Sequence, residues 1–74
     1  MKKPKLVSPS KMIWAKIRYF QAINEISDSE LADDLNATVR TLYNYNTQPW
    51  NITLGQLDKF LAVRNLTLAE LLGM

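Results

Sequence analysis

Apolar residues recur along this chain at helical spacing, and capping residues punctuate them. Ile13, Ile17 and Phe20 stand at i, i+4 and i+7, the stripe of a one-faced helix. Ser8 can cap that helix and Pro9 suits its first position, so helix 1 is expected to end near Asn24 or Glu25. Helix 2 is expected from Asp28 to Leu35, with Ser27 and Glu30 as a capping box and Asp28 at the positive end. Its apolar face is Leu31, Ala32 and Leu35, and Asn36 is a left-handed stop. Helix 3 is expected from Val39 to Asn46 under a Thr38 cap, with Leu42 and Tyr45 inward and Arg40, Tyr43 and Asn44 outward. Turn chemistry and a Pro49 break follow. Helix 4 spans Leu54 to Arg64, with Leu54, Leu57 and Leu61 as its stripe and Phe60 beside them. Helix 5 is Leu68 to Leu72. The pairs Thr53/Gln56 and Thr67/Glu70 give both a capping box. There is no internal repeat and no strand signal, so the expected class is all-α.

Helix 1 carries more apolar surface than one stripe needs. Met12, Tyr19 and Ile23 cluster about 100° from the Ile13/Ile17/Phe20 face, and Trp14 lies on the opposite flank beside Arg18 and Gln21. Two readings stand. The excess widens the core contact, or it forms a helical surface for another protein. Trp50 divides the same way, as a lid on the core or as an exposed interface anchor.

Composition narrows the function. Seventy-four residues hold one core, which divides the chain into a basic arm (1–8) and a single domain (9–74). With no Cys and no His, disulfides, structural zinc and the commonest general base are excluded. Asp33 and Asp34 point about 100° apart on a helix and do not converge as a catalytic dyad. No Gly-rich loop or nucleophile motif is present, so neither an enzyme nor a cofactor is expected. No residues remain for a small-molecule sensor domain. No apolar run approaches a membrane span, and no h-region follows Met1-Lys2-Lys3-Pro4-Lys5, so a soluble cytoplasmic protein is expected.

The net charge is only +2, but it is unevenly laid out. Lys2, Lys3, Lys5, Lys11, Lys16 and Arg18 fill residues 1–20 without an acid. Glu25, Asp28, Glu30, Asp33 and Asp34 fill residues 21–37 without a base. The lysine-rich start is either a phosphate-binding arm or a solvated tail.

Residues 27–46 form two short helices joined by a tight turn, the spacing of a helix-turn-helix. Ala32 lets the second helix cross closely over the first. In such a unit the second helix enters the major groove and its outward side chains reach base edges. Arg40 can fork to guanine and Asn44 to adenine, while Thr38 and Val39 can touch phosphate or a thymine methyl.

These residues resemble the Cro/repressor-type (XRE) helix-turn-helix domain of phage and bacterial regulators. The matching positions are Ile13, Ile17 and Phe20, then Ile26-Ser27, Glu30-Leu31-Ala32 and Leu35, then Thr38, Leu42 and Tyr45. Pro49, Leu54, Leu57 and Leu61 and finally Leu66-Thr67-Leu68 with Leu71-Leu72 continue the pattern to about residue 72. The resemblance implies a compact five-helix, lambda-repressor-like domain that binds operator DNA. It assigns DNA contact to Thr38, Val39, Arg40, Tyr43 and Asn44, with Lys2, Lys3 and Lys5 as an arm. It also implies dimers formed through the loop before helix 4 or the chain's end, here Pro49, Trp50 and Ile52. Position 28, commonly a phosphate-binding Gln in the family, is Asp28, and the usual turn Gly is Asn36. The expected function is a phage-type transcriptional regulator controlling a genetic switch. The alternative is an antirepressor-like protein that binds the resident repressor through Met12, Trp14, Tyr19, Ile23 and Trp50.

Overall fold

The computed structural model describes residues 8–74, so the Lys2, Lys3 and Lys5 arm lies outside the described residues. Five α-helices follow in order: α1 (Pro9–Ile23), α2 (Asp28–Asp34), α3 (Val39–Thr47), α4 (Leu54–Val63) and α5 (Leu68–Leu72). A 3-10 turn, Pro49–Asn51, separates α3 from α4. Among the described residues there is no strand.

Each α-helix starts where a hydroxyl can take an orphan backbone N–H. Ser8, Ser27, Thr38, Thr53 and Thr67 each accept from the amide three residues on. Thr53/Gln56 and Thr67/Glu70 are complete capping boxes. Ser27/Glu30 is half of one. There the Ser27 hydroxyl donates to Glu30 Oε1 at 3.2 Å, and the Glu30 carboxylate does not reach the Ser27 backbone.

Three helices also stop alike. Glu25, Asn36 and Asn65 take φ near +54° to +55°. The next amide then reaches back five residues, Ile26 N to Gln21 O, Ala37 N to Ala32 O and Leu66 N to Leu61 O. This is the Schellman motif, and it places an apolar residue after each stop against the core. Ile26 is buried, and Ala37 and Leu66 pack against the core at its edge.

α2 packs on α3 and α4, while α1 packs on α5 and the 3-10 turn. Ile17, Leu31, Leu35, Leu42, Phe60 and Leu71 are fully buried at the centre. Phe60 meets Phe20 edge to face with ring centroids 5.6 Å apart. Buried Ala32 keeps the close α2–α3 approach open.

Two expected core assignments are corrected. Leu54 is 78% exposed, because it opens α4 at the surface and the inward face passes through Leu57 and Phe60. The buried face of α1 is Trp14, Ile17 and Gln21, with Ile13 and Phe20 at its margin. It is turned by roughly 70° from the expected stripe.

Candidate nucleic-acid interface

The α2–α3 unit is held from both sides. Leu31, Leu35, Leu42 and Tyr45 bury its inner surface. The Tyr45 hydroxyl donates to Gln56 Oε1 at 2.8 Å, which ties α3 to the first turn of α4. Tyr45 also receives Trp14 edge to face at 5.4 Å. Trp14 Nε1 donates to Asn46 Oδ1 at 2.9 Å, and Arg18 lies 5.2 Å from the Trp14 ring centroid. Trp14 is only 5% exposed and is therefore core, not partner surface. Its indole satisfies its one donor internally, as a buried Trp must.

Of the proposed DNA-contacting residues, Arg40, Tyr43 and Asn44 share the exposed face of α3 at i, i+3 and i+4. Among the described residues, the Arg40 and Asn44 side chains make no hydrogen bond, and Arg40 forms no ion pair. Thr38 is exposed at the start of the helix, with its hydroxyl engaged by the Thr41 amide and hydroxyl. Val39 is corrected: it is half-buried and packs against the core, so it is not an outward contact.

Two of the four acids of α2 are paired, while Glu30 and Asp33 are exposed and form no ion pair among the described residues. Asp28 sits at the positive end of α2 and takes bonds from Arg18 Nη1 at 2.9 Å, Gln21 Nε2 at 2.7 Å and the Tyr43 hydroxyl at 3.3 Å. The Gln21 bond, then the Arg18 bond, hold its carboxyl below the usual carboxylate range. Asp34 is buried and paired with Arg64 Nε at 2.5 Å. Lys59 Nζ donates to the Asp33 carbonyl at 2.7 Å, capping the negative end of α2. Two of the three aspartates on this unit are thus neutralised by cations from α1 and α4. Arg18 and Gln21 had not been singled out for this site. The available signal was Gln21 itself, a polar residue four positions after core Ile17.

Comparison with known proteins adds no relative. The chain matches no family model, no curated protein and no solved structure.

The remaining surface is apolar in two places. Met12, Tyr19 and Ile23 are all exposed along one stripe of α1, with Lys16 between them. On the opposite flank, a groove of about 350 Å³ runs between the start of α1 and the 3-10 turn, walled by Trp14, Pro49 and Trp50. Trp50 is 64% exposed, so it does not lid the core. Among the described residues, no helix is long and apolar enough to cross a membrane, and no cluster of acidic side chains can hold a metal ion.

Proposed function

We propose that this protein is a small DNA-binding regulator of the Cro/repressor type, with a lambda-repressor-like fold, acting at an operator in a phage or prophage switch. The carrying observation is the exposed Arg40/Tyr43/Asn44 face on a helix locked by its neighbours. Rigid support matters, because base readout needs side chains held in register with the groove. Arg40 stands without a protein partner among the described residues and offers a guanidinium fork to guanine O6 and N7. Asn44 offers both halves of the amide pattern that adenine N6 and N7 require. Pairing of Asp28 and Asp34 removes much of the repulsion that α2 would otherwise present to phosphate. Action as a homodimer on paired half-sites, occluding a promoter, follows from the same reading.

Arg40→Ala and Asn44→Ala should each cost about 1–3 kcal/mol of specific binding and relax one base position. The measurement is fluorescence anisotropy on a duplex selected from a random pool, with single-base variants. If both variants bind that duplex like the wild type, α3 is not the reading helix.

A second reading rests on the exposed α1 stripe: a protein-directed modulator that binds the resident repressor. Here Met12→Asp with Ile23→Asp should leave helicity unchanged, since both side chains are exposed, and should abolish the mixed complex seen by light scattering. An intact complex in that double variant removes α1 from the account.

A further inference from the structure

We propose that Tyr43 contacts an exocyclic base amine, adenine N6 or cytosine N4, and that Asp28 sets this choice by holding the phenol's only proton. The proposal rests on the DNA-binding reading above. It begins with how the Asp28 carboxylate is divided. Oδ1 accepts from Arg18 Nη1 and Gln21 Nε2, and Oδ2 accepts from the Tyr43 hydroxyl. The same Arg18 Nη1 donates to Gln21 Oε1 at 2.6 Å, so the three side chains fix one another. Asp28 is ionised across the physiological range, because Gln21 and Arg18 stabilise its charged form. An ionised carboxylate has no proton to give, so the phenol must donate.

A phenol has one O–H. With that proton committed to Asp28, the exposed side of the Tyr43 oxygen offers lone pairs alone. Phosphate oxygens, guanine O6 and N7 and thymine O4 are all acceptors and pair with it only if the phenol gives up its 3.3 Å bond to Asp28. The donors left in the major groove are the exocyclic amines of adenine and cytosine. Tyr43 is 56% exposed and lies one helical turn from Arg40 on the same exposed face of α3.

Asp28→Asn should admit guanine and thymine. Arg18 and Gln21 both donate to Oδ1, so the asparagine oxygen takes that place and its Nδ2 faces Tyr43. Nδ2 then donates to the phenol oxygen, and the freed O–H turns outward as a donor. Its base partners then include guanine, thymine and adenine N7, and only cytosine, which has no major-groove acceptor, is left out. Removing a negative charge also tightens binding to all duplexes alike, which leaves the base ratio at one position unchanged.

The test is selection from a randomised duplex pool with sequencing, using wild type, Asp28→Asn, Tyr43→Phe and Arg40→Ala. Folding of each variant is checked by circular dichroism. Wild type should favour adenine or cytosine at one position of the contacted strand by about three- to tenfold, the worth of one net hydrogen bond. Tyr43→Phe should flatten that position alone, and Asp28→Asn should admit guanine and thymine there. In the free protein, Tyr43→Phe should also raise the pH at which the Asp28 carboxyl carbon titrates by NMR, because a donor is lost. An unmoved titration shows that the hydroxyl does not donate there, and the proposal falls. Exclusion of guanine and thymine by Asp28→Asn as firmly as by wild type overturns it, as does a Tyr43→Phe loss spread evenly over all sequences, which marks a backbone contact. If Arg40→Ala alters a selected position while the other two variants alter none, this proposal fails and the DNA reading stands. If wild type selects nothing, both fail.

Discussion

Phe60→Ala should cost about 3–5 kcal/mol of folding stability, the range for deleting a large aromatic from a packed core. A chain of this size has roughly 4–11 kcal/mol in total, at about 0.05–0.15 kcal/mol per residue. One substitution therefore removes much of the stability, or all of it. The cause is location. Phe60 is fully buried on α4, where it meets Phe20 of α1 edge to face. Aromatic pairing adds about 0.5–1.5 kcal/mol beyond the area buried. Urea unfolding followed by circular dichroism measures the loss. Leu54→Ala, six residues earlier on the same helix, is the internal control and should stay within about 0.5 kcal/mol because Leu54 is exposed. Equal costs at the two positions would mean that α4 is rotated about its axis.

Arg64→Ala should destabilise by about 3 kcal/mol, the cost of leaving a buried charge without its partner. Asp34 ends α2, where the helix's own negative pole disfavours an acid. Its side chain is only 8% exposed, and among the described residues Arg64 supplies the one cation bonded to its carboxylate. Asp34→Asn should cost less, about 1 kcal/mol, because the amide keeps polarity without charge while Arg64 can turn to water. The double variant should recover part of the Arg64→Ala loss, since it removes the orphaned charge. Losses below about 1 kcal/mol for Arg64→Ala, the size of a solvated surface pair, would place Asp34 in water.

Much of this architecture is legible in the residues. The five helices begin within a residue of where their caps stand, because capping is a bond between positions three apart. Two of them, α2 and α4, end where an asparagine takes a left-handed turn, at Asn36 and Asn65. Glu25 does the same without the short polar side chain that signals it, which is why the stop of α1 was legible only to within a residue. The outward set Arg40, Tyr43 and Asn44 was equally readable, since Leu42 and Tyr45 claim the opposite face by periodicity alone.

Other assignments needed partners distant in the chain. Trp14 has the same local pattern whether it faces solvent or core. What buries it is Asn46, 32 residues on, accepting from its indole N–H. Asp28 and Asp34 carry identical charges six residues apart and are distinguished by Arg18 from α1 and Arg64 from α4. By itself the sequence determined where the helices start and, at Asn36 and Asn65, where they stop, because those are decided by interactions within about one turn. The tertiary structure alone decided which flank of α1 faces inward, which acids are neutralised and which way the Tyr43 proton points, because each depends on a side chain brought near only when the helices pack.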